Sequence, residues 1–370
     1  MARDHWSNCI THFDDDVGAF VRDYFADQGR RCLLVAAAGF DPRSQVIAKM
    51  LSETLGDRLG ALFIREERGR PDANLIADAD ANEEALAAIV PNYRVERINI
   101  FGDDGAAIGG SNVAAMLSKT EVDPATTDVV LDMSALSIGI GFPVAKLLLL
   151  DCEAAANRAF HILIVSNPEL DDRISSEPAE RAMPVKGFSG QGSLSQTLNP
   201  ARIWIPQLAR GRKAALTNIS LQVGDCYKVC PVLPFPARDP RRADALVGEY
   251  ENELVNEWQV DPRDLVYVSE RNPLDSYRTI STLKERYDRT VEGTYEPLVI
   301  LSPIGSKVMA AGALMAAIEH DLAVQYIETA RYEFDGADRR EDDPKDMIVH
   351  VLLSGPAYGD YGCVASAEPE

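Results

Sequence analysis

Residues 32–44, CLLVAAAGFDPRS, decide the fold of this chain. The first seven residues form a continuous apolar run, short enough for a β-strand that is buried on both faces, as the strands of a parallel sheet are. The other six form a loop that leads into a helix, because apolar residues recur at helical spacing over residues 46–55. A strand, a polar loop and an amphipathic helix in this order predict one βα unit of a parallel sheet.

The same order of elements recurs along the chain. Apolar runs followed by helical stripes continue to residue 165 and start again after residue 223, which predicts an α/β fold with two Rossmann-like, mostly parallel sheets flanked by helices. Between them the pattern is broken by glycines, serines and a basic cluster. We predict an N-terminal domain over residues 1–172, a linker or lid over 173–222 and a C-terminal domain over 223–370, to which the last apolar run, 348–353, is assigned.

The two halves share local features. Asp-Pro-Arg follows a strand at residues 41–43 and again at 239–241, and a strand that ends in a serine precedes a helix of small residues at Ser134 and again at Ser302. One interpretation is an internal duplication whose second copy lacks about one βα unit. The other is a pair of unrelated βα domains, which share this order of elements by default.

Composition limits the classes of function. With 37 Lys+Arg against 58 Asp+Glu, the net charge of −21 repels nucleic-acid phosphates and anionic membranes, so we expect neither non-specific nucleic-acid binding nor membrane association. An acidic exterior still allows basic residues to cluster in one cleft. No apolar run reaches about 18 residues, and the six cysteines lack zinc or redox spacing, so we predict a cytoplasmic protein with reduced cysteines.

Motifs for several common reactions are missing from the sequence. There is no HExxH, no paired cysteine knuckle and no GxGxxG after a strand, so metal hydrolysis and ordinary NAD-dependent dehydrogenase chemistry are unsupported. His161 and His350 lie inside apolar strands and are predicted to be core or strand-end residues and not catalysts. No metal or cofactor is predicted.

The segment 302–307, SPIGSK, is the strongest candidate for ligand contact. Ligands of parallel α/β sheets bind beyond the carboxyl ends of the strands, where helix N-termini present free N–H groups. Gly305 permits close backbone approach, Ser302 and Ser306 supply hydroxyls, and Lys307 places a cation in the first helical turn. The segment is not a Walker A loop, which needs an earlier glycine. The alternative interpretation is a capped helix with a solvent-facing lysine.

Four further residues are candidates. Arg43 could bind a phosphate or carboxylate bidentately, and Arg241 is its counterpart in the second half. Asp132 and Ser134 lie at a strand end, where Asp132 could act as an acid or base and Ser134 could contact a ligand. Helix capping would explain Asp132 equally well.

Two Rossmann-like units in one chain, with Ser302, Gly305, Ser306 and Lys307 at a strand end of the second, resemble the tandem ligand-sensing arrangement of the CARF and SAVED families. Those families bind nucleotide second messengers in bacterial defence. The resemblance implies a messenger over the strand ends between the two units, contacted by these four residues. No nuclease or TIR effector follows in this sequence, so the resemblance also implies a partner protein that supplies one.

Three functions follow as hypotheses. The first is a sensor or regulatory subunit that binds a nucleotide or other phosphorylated small molecule. The second is an enzyme that acts on a nucleotide or phosphosugar, with Asp132 as acid/base and Arg43 or Lys307 holding the phosphate. The third is a protein-interaction scaffold whose acidic surface docks a basic partner.

Overall fold

The computed structural model describes residues 6–69, 72–155, 157–190, 200–291, 294–334 and 346–358. Its strands are β1 (Thr11–Phe13), β2 (Cys32–Ala37), β3 (Leu59–Glu67), β4 (Tyr93–Asn99), β5 (Asp128–Asp132), β6 (Ala159–Ser166), β7 (Ile174–Pro178), β8 (Met183–Ser189), β9 (Pro200–Pro206), β10 (Lys228–Val229), β11 (Val232–Pro234), β12 (Val266–Val268), β13 (Glu296–Ser302), β14 (Ala323–Tyr326), β15 (Thr329–Phe334) and β16 (Met347–Ser354).

The α-helices connect these strands and lie against the sheets. They are α1 (Asp15–Tyr24), α2 (Ser44–Leu55), α3 (Ala73–Ile89), α4 (Gly109–Leu117), α5 (Ile138–Ala154), α6 (Pro168–Asp171), α7 (Lys213–Val223), α8 (Arg242–Glu249), α9 (Pro273–Val291) and α10 (Lys307–Glu319). No helix formed by the described residues is long and apolar enough to cross a membrane.

The first sheet has seven strands in the order β1-β16-β6-β5-β2-β3-β4. Strands β2 to β6 run parallel to one another, and β16 is antiparallel to both of its neighbours. The order β4-β3-β2-β5-β6 is that of the Rossmann fold, in which the chain builds outward from β2 and then crosses to its other side. The predicted βα unit at residues 32–44 thus supplies the central strand.

The second sheet has five strands in the order β10-β9-β13-β14-β8, and only β8 is antiparallel to its neighbour. The predicted fold class, mostly parallel sheets flanked by helices, is confirmed. Two smaller pairs complete the architecture: β11 with β12, and the antiparallel ribbon β7/β15. Whether the halves arose by duplication stays a prediction.

Two segment assignments from the sequence are corrected. β16, assigned to the second half, pairs with β6 and β1 in the first sheet. The segment 173–222, interpreted as a linker or lid, contains β7, β8, β9 and α7, and β9 is an inner strand of the second sheet. Sequence position does not specify which sheet a strand joins, because buried strands of either sheet have similar apolar sequences. The domain boundaries stay a prediction.

The two sheets share one hydrophobic core, in which α10 is central. Ten successive residues of α10, numbers 308–317, are buried, as expected for a helix surrounded by protein. It packs against α5, α9 and β6, and thus joins the second sheet to the first. At Gly312 the contact with α9 is so close that a Cβ atom would lie 2.2 Å from the Pro273 carbonyl oxygen. A side chain at this position would therefore push α9 away from α10.

A chain of hydrogen-bonded histidines connects β16 to its neighbours. His350 on β16 is fully buried and lies 2.9 Å, nitrogen to nitrogen, from both His12 on β1 and His161 on β6. His161 continues the chain to the Asp128 carboxylate on β5 at 3.2 Å. Burial lowers the pKa of His350 well below its usual value, which keeps this ring neutral. The prediction that His161 and His350 are core residues is confirmed.

Candidate functional site

The strand order of each sheet changes direction at one point, and both points open onto the same cavity. In the first sheet this point lies between β2 and β5, and in the second between β9 and β13, because β9 leads to β10 on one side and β13 to β14 on the other. Ligands of open α/β sheets bind at such points. Residues that follow all four strands line a cavity of about 380 Å³, within the usual size range of small-molecule sites.

The lining of this cavity is basic although the protein is acidic. Nine lining residues are Arg or Lys and six are Asp or Glu, whereas acids outnumber bases by 58 to 37 in the whole chain. Helix starts contribute to the same bias: α2, α5, α7, α8 and α10 each place their first residue, or the residue before it, at the cavity wall. Helix N-termini carry partial positive charge. The cavity is therefore suited to an anion.

Arg43 is fixed at the start of α2 by two carboxylates. Its Nη2 lies 2.6 Å from Asp41 Oδ2 and 2.9 Å from Asp171 Oδ1, and only 4% of the residue is exposed. Burial opposes both charges, yet the ion pairs hold the pKa of Arg43 above its usual value and that of Asp41 below. The buried Nη1 has no hydrogen-bond partner among the described residues. Only the Nη1 nitrogen of this guanidinium group thus keeps unused donors.

Lys307 begins α10 beside Arg43. Its Nζ donates to the Leu136 carbonyl oxygen, and no carboxylate of the described chain lies within ion-pair distance. Burial lowers the pKa of Lys307, and the more distant Glu66 and Asp171 partly oppose that change. A bound anion would supply the negative charge that this amine lacks at close range.

Ser306 and Gly305 complete this loop at the cavity wall. The Ser306 hydroxyl accepts a hydrogen bond from the Met309 N–H at 3.3 Å and so caps α10, as the alternative interpretation of this segment expected. At Gly305 a Cβ atom would lie 3.1 Å from the Gln207 side chain. The glycine therefore lets the loop lie close to the end of β9.

Three arginines near the second sheet, Arg210, Arg212 and Arg242, face the same region, and Arg210 is mostly exposed and lies 4.0 Å from Asp172. Arg212, just before α7, donates to the Ile174 carbonyl oxygen at 3.3 Å and has no carboxylate partner in the part of the chain that is described. Arg242, the first residue of α8, binds both Asp172 oxygens at 3.0 Å and lies 3.0 Å from Glu270. Arg242 is thus neutralised, whereas Arg212 is not. We call Arg43, Arg212 and Lys307 together the basic end of the cavity.

The opposite part of the cavity, at the ends of β3 and β4, also contains arginines, but carboxylates neutralise them. Arg65 lies 2.6 Å from Asp80 and 2.9 Å from Glu83, and Arg97 lies 2.7 Å from Glu67. Two further cations line this part: Arg68 bonds Glu66 at 2.8 Å and the Thr329 carbonyl oxygen at 2.9 Å, and Arg331 lies 4.0 Å from Asp72 and 3.7 Å from Glu333. These ion pairs leave little net charge for a ligand.

Apolar side chains cover this opposite part. Phe40 lies 5.5 Å, between ring centroids, from Tyr332 on the ribbon β7/β15, and Ile76 at the start of α3 remains 39% exposed at the cavity wall. Leu75 and Ala79 lie beside Ile76 in the lining. We call Phe40, Ile76 and Tyr332 the aromatic end. The cavity thus joins a charged surface to an apolar one.

A pair of carboxyl groups lies close to the cavity. Glu66 accepts the Ser137 N–H at 2.8 Å where α5 begins. The side chain of Glu328 touches Gly139 in the first turn of the same helix, and its Oε2 has no hydrogen-bond partner among the described residues. Burial, and secondarily the charge of Glu66, raise the pKa of Glu328 to about 7. Glu328 is therefore partly protonated near neutral pH.

Asp132 and Ser134 serve the structure of the loop after β5. Asp132 is 1% exposed and absent from the cavity lining, and it accepts hydrogen bonds from the Ser134 N–H and hydroxyl. The Ser134 hydroxyl in turn accepts the Val165 N–H of β6 at 2.7 Å. Ser134 lines the cavity, but its hydroxyl already donates one hydrogen bond and accepts another within the protein. Burial raises the pKa of Asp132 to about 7.

Two other predicted contacts are corrected. Ser302 is fully buried away from the cavity, where its hydroxyl accepts the Trp204 indole N–H at 2.9 Å. Arg241 is exposed outside the lining, and the neighbouring Arg242 lines the cavity instead. Helical spacing gives the signal for this shift: Arg242 lies four residues before the buried Leu246, and so on the same helix face.

Four predicted residues from different halves of the sequence lie together in the cavity lining: Arg43, Gly305, Ser306 and Lys307. Sequence reasoning missed Glu66, Arg68, Arg212 and Glu328. Arg212 belongs to the basic cluster of residues 210–213, but nothing in the sequence showed that this segment reaches the other loops. The acidic and basic residues that follow β3 resemble those of any solvated strand end.

Comparisons with known proteins identify no family. No family profile matches the sequence, and no curated protein matches it significantly. A human methyltransferase 10 domain-containing protein is similar over 44% of this chain and 72% of its own, at 13% identity and a TM-score of 0.22. The NH3-dependent NAD synthetase from Campylobacter jejuni is similar over 82% of this chain and 95% of its own, at 13% identity and a TM-score of 0.21. Likeness at this level carries no argument about function.

Within the described residues, no group of three or more His, Cys, Asp or Glu residues is arranged to hold a metal ion.

Proposed function

We propose that this protein binds a phosphorylated small molecule, either a nucleotide or a phosphosugar, in the cavity between its two sheets, and acts as a sensor or regulatory subunit. One observation carries the proposal: both sheets change strand order at this cavity, and three cations with unused binding capacity, the basic end, line it. Charge-assisted hydrogen bonds to a phosphate would satisfy these groups.

Binding without chemistry is favoured by how the polar side chains are used. Asp132, the predicted acid/base, lies below the wall and holds the Ser134 loop. The Ser134 hydroxyl is bonded on both sides, and the Ser306 hydroxyl caps α10. These side chains stabilise the loops around a ligand. The resemblance to the CARF and SAVED families extends the proposal to a nucleotide messenger in bacterial defence that signals through a partner protein.

The proposal is tested by thermal unfolding and calorimetric titration with a panel of nucleotides and sugar phosphates. A ligand at about one hundred times its Kd should stabilise the fold by roughly 2.7 kcal/mol and be recovered unchanged. Lys307→Met should weaken binding by about tenfold or more, because a charge-assisted bond to phosphate is lost. Arg241→Met, an arginine outside the cavity, is the matched control and should bind normally. If no panel member binds, or if Lys307→Met binds as the wild type does, the proposal fails.

An enzyme acting on the same class of ligand is the second candidate, and Glu328 is the observation that favours it. Glu328 is buried between the lining residues Ile327 and Thr329, and a carboxyl group there with a pKa of about 7 has the property required of an acid/base residue. In this case the panel ligand would be converted, and Glu328→Gln would retain binding but lose turnover by about a hundredfold or more. Chromatography of the recovered ligand distinguishes the enzyme from the sensor.

A further inference from the structure

We propose that the ligand is a nucleotide, with its phosphate at the basic end of the cavity and its base at the aromatic end. This inference rests on the proposed function and deepens it, because a phosphosugar would satisfy the basic end alone. Three features support it: the distribution of cationic groups that keep unused donors, the distribution of apolar surface, and the loop after β2, which carries one residue of each end.

Cationic groups with unused hydrogen-bond donors are found on one side of the cavity. Arg43 is paired with two carboxylates but its Nη1 has no partner, and Lys307 and Arg212 bond only to backbone carbonyls in the described chain. These groups come from the starts of α2, α10 and α7, so a phosphate between them would also lie near the positive ends of three helix dipoles. The phosphate is therefore assigned to this end.

On the other side the cations are ion-paired and apolar surface is exposed, and the Arg68 guanidinium lies 4.9 Å from the centre of the Tyr332 ring. Arg65 and Arg97 are held by Asp80, Glu83 and Glu67, so a second phosphate would have to displace carboxylates. Beside these pairs, Ile76 remains partly exposed and the rings of Phe40 and Tyr332 lie close together. Aromatic and apolar side chains are the surfaces on which proteins hold flat bases, through stacking and exclusion of water. A sugar ring, covered with hydroxyls, would leave this surface unused.

The two ends are neighbours in the cavity. Phe40 of the aromatic end and Arg43 of the basic end are three residues apart. Arg212 of the basic end donates to Ile174 on the ribbon β7/β15, which also carries Tyr332. The loop after β2 links the ends, because its Phe40 contacts Tyr332 and its Arg43 contacts Asp171. A ligand with two unlike ends fits this layout.

Calorimetric titration tests the contacts of the phosphate and those of the base separately. AMP, GMP, CMP and UMP are compared first, and the nucleotide that binds most tightly is then compared with its nucleoside and with ribose 5-phosphate. Arg212→Gln should weaken the nucleotide and ribose 5-phosphate by about tenfold and leave the nucleoside unchanged. Ile76→Gln and Phe40→Ala should weaken the nucleotide and nucleoside by about fivefold or more and leave ribose 5-phosphate unchanged.

Leu221→Gln, at an exposed apolar residue outside the cavity, is the matched control for Ile76→Gln, and Arg241→Gln is the control for Arg212→Gln. Circular dichroism of each variant confirms that it is folded. Ribose 5-phosphate that binds as tightly as every nucleotide, with no effect of Ile76→Gln or Phe40→Ala, would overturn the inference and leave the proposed function intact. If none of the nucleotides and sugar phosphates binds, the proposed function itself fails.

Discussion

The tripeptide Asp-Pro-Arg occurs after a strand in each half of the protein, and the two copies have different roles. At residues 41–43 it follows the central strand of the first sheet, and Arg43 is buried, paired with two carboxylates and present at the cavity wall. At residues 239–241 it follows β11, a strand outside the two main sheets, and Arg241 is exposed. The position of the strand in its sheet, and not the tripeptide, determines what the arginine does.

The largest contrast between the copies should appear in stability. Arg43→Met leaves Asp41 and Asp171 near each other without a cation, which should lower the free energy of unfolding by about 3–5 kcal/mol. The loss should be greater at about pH 8 than at about pH 5, because the abandoned carboxyl groups can take up protons in acid. Arg241→Met should change stability by no more than about 0.5 kcal/mol. Urea unfolding of both variants measures the difference in their free energies of unfolding. Equal losses of stability in the two variants would show that the two arginines do not differ in structural role.

Asp132 is a buried acid close to the first Asp-Pro-Arg tripeptide, and it should make the stability of the protein depend on pH. Asp132 has a pKa of about 7 in the folded protein, above its ordinary value of 3.8, so the fold favours its protonated form. The stability that the fold gains from protonated Asp132 is complete in acid and is lost as the pH rises through 7. Asp132→Asn should therefore raise stability relative to the wild type increasingly from about pH 4 to about pH 7, by at most about 4 kcal/mol.

Melting temperatures of the wild type and Asp132→Asn across this pH range measure the effect. Glu328 titrates in the same range, but its contribution is common to both proteins and cancels in the difference. A difference in melting temperature that is independent of pH would show that Asp132 is already ionised in acid.

The smallest of the three effects is expected at Arg242, the cavity arginine of the second half. Arg242→Met leaves Glu270 without its cation and Asp172 with only Arg210, at 4.0 Å, which should lower the free energy of unfolding by about 1–3 kcal/mol. The loss should be smaller than for Arg43→Met, because Asp172 is partly exposed and can be solvated. A loss no larger than that of the adjacent Arg241→Met would contradict the role assigned to Arg242.

The sequence predicted the repeated βα units because buried parallel strands leave continuous apolar runs, as β2 does. It predicted Arg43, Gly305, Ser306 and Lys307 as candidates because loops after such strands carry ligand sites. It did not predict that both sets of loops share one cavity, since that depends on how α10 packs between the sheets. β9 was missed because its short run, residues 200–206, follows a segment rich in glycine and serine.

The placement of β16 between β1 and β6 has a consequence for biosynthesis. β1 (Thr11–Phe13) is synthesised long before its pairing partner β16 (Met347–Ser354). The histidine chain through His12, His350 and His161 likewise needs both strands. The first sheet therefore cannot close during translation of the first half, and contacts between residues this distant in sequence form slowly. The edge of β6 that binds β16 therefore stays open to solvent or to other chains until β16 has been synthesised.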